Sequence, residues 1–388
     1  MIIKRDIFNQ IKKYIDSPEA IVITGMRRVG KTCLLKYIYD RIESENKIFL
    51  DLENPLNKKY FEEVDYDKIK SNLELLGLNF EKRCYLFLDE IQLFKKLPSI
   101  VKYLADHYNI KFFLTGSASY YLKNLFSESL AGRKYIFELF PLSFPEFLRF
   151  KNYKINIPGD KKISKSIHAK FSTYFDQYLQ YGSFPEVVLK KTTEEKGKSL
   201  EDIFTSYYQL EVTRLGDFKK NSAIRDLILL LLERIGSKLD IKKISGEIGI
   251  SRPTVSKYIA FLQDTYLIKT IKPYSKGKDI EIRKRPKIYF CDCGLAKHLA
   301  TIGEGQLFEN CIFQNLRLKG KINYYQRKSG TEIDFILNKS EAYEVKISPT
   351  ESHLSKLLKL SKEIGMDKSY IISKNYSTIN NVKYGFSI

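Results

Sequence analysis

Residues 25–32 read Gly-Met-Arg-Arg-Val-Gly-Lys-Thr, which is the spacing of a phosphate-binding loop. The two glycines let backbone N–H groups turn inward around phosphate oxygens. Lys31 would then reach the β- and γ-phosphates of ATP, and the Thr32 hydroxyl would ligate Mg²⁺. The stretch therefore predicts a site for ATP and Mg²⁺, formed by Gly25, Met26, Arg27, Arg28, Val29, Gly30, Lys31, Thr32 and Cys33.

Two adjacent carboxylates, Asp89 and Glu90, end the apolar segment at residues 84–90. A buried strand of this kind would deliver Asp89 to the sheet edge beside the phosphate loop, where it can hold Mg²⁺ together with Thr32. Glu90 would polarise the water that attacks the γ-phosphate. The alternative is a strand that ends in two acidic residues without a catalytic role. The position of Asp89 and Glu90 after a phosphate loop favours a catalytic pair.

Two further polar positions follow. The apolar run at residues 111–116 leads into small hydroxyl residues, so Ser117 is a candidate for a side chain that senses the γ-phosphate. Arg133 precedes another apolar segment, residues 134–139. It is either an arginine finger, which would act across a homo-oligomer, or a surface cation. The sequence leaves these two alternatives open.

The C-terminal region carries a second candidate group, in which Asp334 is followed by Glu344 and Lys346, the D…E-x-K pattern of metal nucleases. Residues 324–337 and 342–347 read as the two strands of a hairpin. Glu344 and Lys346 would share one face, with Asp334 opposite. The carboxylates of Asp334 and Glu344 can hold Mg²⁺ while the lysine stabilises the attacking hydroxide, and Glu309 on a preceding helix is a further carboxylate. Alternating charges also mark the solvent face of any hairpin, so both interpretations stay open.

The elements that must position the first group alternate between apolar strands and helical patterns. Residues 20–24 are a short β-branched run before the phosphate loop, and residues 33–38 carry apolar positions at helical spacing. Residues 47–52 predict a further strand, and residues 97–107 a helix. Continuous apolar strands separated by helices are typical of an α/β fold with a parallel sheet.

A helix–turn–helix pattern occupies residues 223–271. Ser251 is a predicted N-cap for a helix whose Val255 and Ile259 face inward, which leaves Arg252 and Lys257 for a partner. Between residues 242 and 287 twelve Lys or Arg stand against four Asp or Glu, a local excess of +8. We expect DNA contact there, although a winged helix used only for protein packing is the alternative.

Composition indicates a globular protein, and its basic charge favours a polyanionic partner, with a solvated basic surface as the alternative. The 388 residues carry a net charge of +20, with 43% hydrophobic and 13% aromatic residues. The longest apolar run, residues 227–232, is too short to cross a bilayer, and the N-terminus lacks the pattern of a signal peptide, so we expect a cytoplasmic location and no membrane segment. Cys33 and Cys84 lie in apolar runs and are expected in the core, whereas Cys291 and Cys293 lack a second pair at zinc-ligand spacing.

Several sequence patterns occur together in one order along the chain, namely Gly25-Met-Arg-Arg-Val-Gly-Lys-Thr32, Leu88-Asp-Glu-Ile-Gln92, Thr115-Gly-Ser117, Leu130-Ala-Gly-Arg133, Pro141-Leu-Ser-Phe-Pro-Glu-Phe147 and Tyr178-Leu-Gln-Tyr-Gly-Ser-Phe-Pro-Glu-Val187. In these the chain resembles prokaryotic and archaeal AAA+-type ATPases that combine an AAA domain with a DUF4143 domain, close to the STAND-related group. One departure is Gly182-Ser183, where the family more often has two glycines.

The resemblance implies an α/β P-loop NTPase (AAA+-like) with a parallel sheet and a helical lid, then a winged helix and a restriction-endonuclease-like α/β domain. We place these parts at residues 1–150, 151–222, 223–290 and 291–388. Two functions follow as hypotheses. One is a Mg²⁺-dependent ATPase that acts on DNA, with the C-terminal domain as nuclease or DNA grip. The other is a nucleotide-controlled switch that works through protein partners and cuts nothing.

Overall fold

The computed structural model describes residues 2–116, 132–158, 163–213, 221–275, 285–327 and 329–388. The chain divides into two compact units. The first comprises Met1–Phe140 and Asp264–Tyr266, and the second comprises Pro141–Gln263 and Leu267–Ile388. The predicted division into four parts stays a prediction, as does the placement of a helical lid over the nucleotide.

The first unit is built on a sheet of five described strands, β1 (Ala20–Thr24), β2 (Lys47–Asp51), β3 (Cys84–Asp89), β4 (Ile110–Gly116) and β5 (Lys134–Glu138). Their order is β2-β3-β4-β1-β5, and every pairing is parallel. Its helices are α1 (Phe8–Ile11), α2 (Lys31–Tyr39), α3 (Pro55–Lys59), α4 (Tyr66–Leu75) and α5 (Leu97–His107). The parallel sheet predicted from the sequence is confirmed.

Burial across this sheet follows the apolar runs of the sequence. The central strands β1 and β4 are buried along their whole length, whereas the edge strands β2 and β5 are mostly half-buried. Continuous apolar strands of this kind are typical of a parallel sheet that is covered on both faces. Because all five strands point the same way, the segments that leave β1, β3 and β4 at their carboxyl ends lie at one edge of the sheet.

The described strands of the second unit are β6 (Ile268–Ile271), β7 (Lys287–Phe290), β8 (Ile322–Gln326), β9 (Glu332–Leu337), β10 (Glu341–Lys346), β11 (Lys368–Ser373) and β12 (Val382–Tyr384). They form a mixed sheet with the order β12-β11-β10-β9-β8 and a separate antiparallel pair, β6 and β7.

Ten helices of the second unit lie within the described residues. They are α6 (Phe144–Phe150), α7 (Lys165–Tyr181), α8 (Pro185–Leu189), α9 (Thr193–Tyr207), α10 (Asn221–Leu232), α11 (Ile241–Ile248), α12 (Arg252–Asp264), α13 (Cys293–Leu299), α14 (Glu304–Leu316) and α15 (Glu351–Ile364). A π-helical turn, Tyr208–Thr213, and a 3₁₀ turn, Gly385–Ser387, are additional to these. Helices α10 to α12 are followed in the chain by β6 and β7.

Two predictions made from the sequence were wrong. Residues 324–337, predicted as one strand, form β8 and β9, because the chain turns at Gly330, whose φ of 92° lies in the left-handed region. Cys33, expected in the core, is exposed on α2, while Cys84 is buried as expected. An apolar run thus does not decide which face of a helix a single small residue occupies.

Candidate functional site

The phosphate loop leaves the buried strand β1 and ends where α2 begins, at Lys31. Gly25 has a φ of +153°, and a Cβ built there would lie 2.1 Å from the backbone oxygen of Leu139. Gly30 adopts a left-handed φ of 95° and stands as the N-cap of α2. Both positions therefore require glycine, and the loop opens onto the N-terminus of a helix, where backbone N–H groups attract anions.

Lys31 lies across its own loop. Its side chain is buried, and its ammonium group donates hydrogen bonds to the carbonyl oxygens of Gly25 at 3.1 Å and Met26 at 3.0 Å. The loop is also held from outside, because the Arg5 guanidinium donates to the carbonyl oxygens of Val29 at 2.8 Å and Phe140 at 2.7 Å. The lysine is thus placed at the loop, and a phosphate oxygen would compete with these carbonyls for its protons.

Asp89 ends β3 and is 2% exposed. Its carboxylate accepts hydrogen bonds from the hydroxyl of Thr115, at the end of the neighbouring strand β4, and from the Glu90 backbone N–H at 3.1 Å. Acidic and hydroxyl groups of adjacent strands therefore meet at the same sheet edge as the phosphate loop. Such an arrangement is suited to holding Mg²⁺ through a carboxylate.

Glu90 has an unusual backbone conformation and a fixed side chain. Its φ of 54° is left-handed, which is uncommon for a residue with a side chain. The side-chain amide of Gln92, which is 4% exposed, donates a hydrogen bond to the Glu90 carboxylate. Strained backbone at a sheet edge beside a phosphate loop is a frequent property of catalytic positions.

The other predicted residues of this site differ in their exposure to solvent. Met26 and Val29 are buried, Arg27 and Thr32 are half-buried, and Arg28 and Cys33 are exposed. Ser117 lies outside the described residues. Arg133 lies beside the start of β1, since its carbonyl oxygen accepts the Ala20 N–H, and its Nε is 3.2 Å from Asp106. The start of β1 lies at the edge of the sheet opposite the phosphate loop, and this position favours the interpretation of Arg133 as a surface cation. An arginine finger that acts on another subunit stays a prediction.

A second group of charged side chains lies in the second unit. We call it the carboxylate–lysine cluster, and it comprises Lys287, Glu309, Glu332, Asp334, Glu344 and Lys346. The Lys346 ammonium is 2.7 Å from Glu344 and 4.0 Å from Asp334. Asp334 also accepts a hydrogen bond from the Val345 N–H at 2.8 Å. The three residues predicted from the D…E-x-K pattern are therefore brought together.

Glu309 joins the cluster from α14. The Tyr289 hydroxyl donates to its carboxylate at 2.7 Å, and the Lys287 ammonium is 3.6 Å away. Burial, together with the charge of Asp334, raises the pKa of Glu309 to about 7. The same two causes raise the pKa of Glu344 to about 7. Buried carboxylates this close together indicate that the cluster has more negative charge than its lysines neutralise.

The donor atoms of the cluster fit Mg²⁺ only in part. Among the described residues, no group of three or more His, Cys, Asp and Glu side chains is placed to hold a metal ion, and this includes Cys291 and Cys293, which are buried. Lysine ammonium groups lie between the carboxylates instead. Mg²⁺, however, is commonly held by one or two carboxylates with its remaining positions left to water and substrate phosphate. Asp334 and Glu344 could supply such a pair.

The helix α12 presents a basic face. Arg252, Ser256 and Lys257 are exposed, whereas Val255 and Ile259 are buried. The Ser251 hydroxyl accepts a hydrogen bond from the Thr254 N–H at 3.3 Å, which makes Ser251 a cap at the start of the helix. The predicted division of this helix into an inner and an outer face thus agrees with the burial of its residues.

No helix in the described part of the chain is long and apolar enough to span a membrane.

Family models match three consecutive parts of the chain. Residues 17–148 match an AAA domain, residues 172–306 match a domain of unknown function, DUF8612, and residues 304–385 match another, DUF4143. The chain thus combines a segment that matches an AAA domain with one that matches a DUF4143 domain, the combination that the sequence motifs predicted. The phosphate loop, Asp89 and Glu90 fall within the first segment, and most of the carboxylate–lysine cluster falls within the second.

Two relatives match most of the length of this chain. An uncharacterized protein of Methanocaldococcus jannaschii is 28% identical, over 89% of this chain and 79% of that protein. An uncharacterized protein of Haemophilus influenzae is 27% identical, over 88% of this chain and 85% of that protein. The Aeropyrum pernix ORC1 protein in complex with DNA has a TM-score of 0.35 and 12% identity, over 77% of this chain and 93% of that chain. A score of this size does not establish a shared fold over the whole chain.

Sequence reasoning missed Thr115, whose hydroxyl donates to Asp89, and four further residues of these sites. Arg5 and Gln92 support the phosphate loop and Glu90, while Lys287 and Glu332 belong to the carboxylate–lysine cluster. A signal was available for Gln92, which is two residues after Glu90, and for Glu332, which is two residues before Asp334 on the same strand. No local pattern identifies Arg5 or Lys287, because each acts on residues distant in the sequence.

Proposed function

We propose that the AAA domain binds ATP with Mg²⁺ and hydrolyses it. The observation that carries this proposal is the meeting of three parts at one edge of the parallel sheet: the glycine loop, Asp89 with Thr115, and Glu90 with Gln92. Lys31 would bind the β- and γ-phosphates, and Thr32 and Asp89 would hold Mg²⁺, which neutralises phosphate charge when bound. Glu90 would accept a proton from the attacking water.

We further propose that the protein acts on DNA. The exposed Arg252 and Lys257 on α12 and the charge excess between residues 242 and 287 support contact with phosphates. A helix of this kind, after a turn and before a two-stranded sheet, is suited to the major groove. The carboxylate–lysine cluster is the second support, because two carboxylates beside a lysine are residue types that metal-dependent phosphodiester hydrolysis uses.

In the cluster, Asp334 and Glu344 would hold Mg²⁺, which when bound would activate water and neutralise charge on the phosphate. Lys346 is suited to stabilising the attacking hydroxide or the phosphorane, since its side chain is 30% exposed and its ammonium is 2.7 Å from Glu344. Asp334 and Glu344, in contrast, have side chains only 8% and 10% exposed. The lysine thus stands at the open side of the cluster.

ATP turnover with and without duplex DNA tests the combined proposal. The expected result is Mg²⁺-dependent turnover that duplex DNA raises, and loss of that increase in the variant Arg252→Ala with Lys257→Ala. If DNA does not change the rate of ATP turnover, and the protein assembles in a nucleotide-dependent way, the alternative function as a nucleotide-controlled switch would be favoured. Lys359→Ala, on the exposed face of α15, serves as the control for loss of a surface charge.

A further inference from the structure

Tyr266 follows a helix of the second unit but belongs to the first unit. Helix α12 ends at Asp264, and β6 begins at Ile268. The three residues Asp264–Tyr266 are part of the first compact unit, whereas Gln263 and Leu267 on either side are part of the second. The covalent chain therefore leads directly from α12, with its exposed basic face, into the unit that carries the phosphate loop.

The side chain of Tyr266 makes both polar and aromatic contacts, and the residue is only 7% exposed. Its hydroxyl donates a hydrogen bond to the Glu138 carboxylate at 3.0 Å and is 3.4 Å from the hydroxyl oxygen of Thr24. Its ring meets the ring of Phe140 edge to face, with the centroids 6.2 Å apart. All of these contacts lie within the first unit.

The polar partners of Tyr266 stand where the chain enters the phosphate loop. Thr24 ends β1, is 2% exposed and directly precedes Gly25. Its carbonyl oxygen accepts a hydrogen bond from the Leu139 N–H at 2.7 Å, and Glu138 lies opposite it in the pairing of β5 with β1. A shift of the Tyr266 hydroxyl would therefore act on the backbone that leads into the loop.

The aromatic partner, Phe140, is connected to the other end of the loop. The Arg5 guanidinium donates hydrogen bonds to the carbonyl oxygens of Phe140 and Val29. Val29 is two residues before Lys31, the residue expected to bind the β- and γ-phosphates. Tyr266 thus contacts residues that hold the phosphate loop at its beginning and at its end.

The backbone of Tyr266 has a conformation that favours glycine. Its φ of 64° is left-handed, and the Leu267 N–H donates a hydrogen bond to the Leu262 carbonyl oxygen at 3.0 Å, which closes the C-terminus of α12. Glycine usually occupies the left-handed position at such a helix end, because a side chain is strained there. A bulky tyrosine in this position, with its hydroxyl and ring both engaged, indicates a role that glycine could not fill.

We propose that Tyr266 is a positioning residue of the phosphate loop, through which ATP at the loop and DNA on α12 influence each other. The inference rests on the proposed functions of the loop and of α12, and it adds how the ATP site is regulated. By thermodynamic linkage, ATP changes the affinity for DNA by the same factor as DNA changes the affinity for ATP. A tyrosine that only filled the core would affect stability and leave this factor unchanged.

The Kd of duplex DNA, measured by fluorescence anisotropy with and without a non-hydrolysable ATP analogue and Mg²⁺, tests this. The analogue is used at a concentration that saturates each protein. In the wild type we expect it to shift the Kd by about fivefold or more, as is usual for coupled sites. Tyr266→Phe keeps the ring but loses the hydroxyl, so the shift should disappear while DNA still binds. Glu138→Ala removes the acceptor of that hydroxyl and should have the same effect.

Two further variants serve as controls. Tyr376→Phe removes a hydroxyl from an exposed position of the second unit and should leave the shift unchanged. Circular dichroism checks the fold of each protein. Should Tyr266→Phe not fold, Tyr266→Gly carries the test, because glycine suits the left-handed backbone. A shift of wild-type size in Tyr266→Gly would then overturn the proposal.

The outcomes separate the inference from the functions on which it rests. An equal shift in the wild type and Tyr266→Phe would overturn the role of Tyr266 and leave both binding sites standing. No shift in a wild type that binds both ligands would overturn the coupling alone. A wild type that fails to bind DNA or the analogue would overturn the proposed function itself. A shift that is lost in Tyr266→Phe and Glu138→Ala but kept in Tyr376→Phe supports the inference.

Discussion

The side-chain amide of Gln92 donates a hydrogen bond to the carboxylate of Glu90, and both residues lie at the edge of the sheet to which the phosphate loop belongs. The two residues flank the start of a 3₁₀ turn, Ile91–Leu93. Glu90 stands at its N-cap with a left-handed φ of 54°. The short turn therefore fixes both the backbone and one carboxylate oxygen of Glu90.

The change Gln92→Ala should lower kcat for ATP by roughly ten- to a hundredfold, since a hydrogen bond to a charged group contributes roughly 1.5–3 kcal/mol. KM should change little, because Gln92 is not placed among the predicted phosphate ligands. Steady-state ATP hydrolysis measures both constants. Gln92→Glu, which loses the amide donor, should behave like alanine, and an unchanged kcat in both variants would exclude a positioning role.

The change Glu90→Gln should stop ATP hydrolysis while ATP stays bound, because the amide has the shape of the carboxylate but cannot accept the proton. A fall of roughly 100-fold or more is expected for loss of a general base. Single-turnover hydrolysis and nucleotide retention on a filter measure the two effects. Glu62→Gln, on the exposed surface of the same unit, is the matched control. Turnover at the wild-type rate would mean that another residue positions the water.

The carboxylate–lysine cluster should cleave DNA only with Mg²⁺ or Mn²⁺, and cleavage should disappear in Glu344→Ala. Lys346→Ala should remove cleavage but keep metal binding, because the lysine is not a ligand. Asp334→Ala should weaken both. A gel assay of DNA cleavage, run beside ATP turnover, measures this, and turnover should survive all three changes. If the wild type cuts no nucleic acid with any divalent ion, the domain is a grip and not a nuclease.

The basic face of α12 should bind DNA through its phosphates. Replacing Arg252 or Lys257 by alanine should weaken binding of unrelated sequences equally, and each change should reduce the slope of log Kd against log salt by about 1. Fluorescence anisotropy at several salt concentrations gives that slope. Lys243→Ala on α11, also exposed, tests whether the effect belongs to α12 alone. Equal slopes in all proteins would remove α12 from the DNA hypothesis.

Local patterns were sufficient for the parallel sheet. Continuous apolar runs located β1, β3 and β4, and glycine spacing located the loop before Lys31. The fold of the second unit was harder to predict, because a turn at Gly330 divided what looked like one strand. Turns that depend on one glycine are weak signals when charged and apolar residues alternate on both sides.

The sites were predicted to the extent that their residues are neighbours in the sequence. Glu344 and Lys346 are two apart on one strand, and their contact follows from that spacing. Lys287 reaches the same cluster from a strand of another sheet, which no local pattern could indicate. Arg5 likewise contacts Val29, a residue distant from it in the sequence that only folding brings close.

The most direct measurement of the central claim is ATP hydrolysis by the wild type, by Lys31→Ala and by Lys36→Ala, each with Mg²⁺ and with excess EDTA. Lys31 is buried at the loop, whereas Lys36 is exposed on the same helix. We predict turnover in the wild type and in Lys36→Ala with Mg²⁺, and only background in Lys31→Ala or with EDTA, while circular dichroism shows the fold intact. Equal turnover in Lys31→Ala and the wild type would contradict the account.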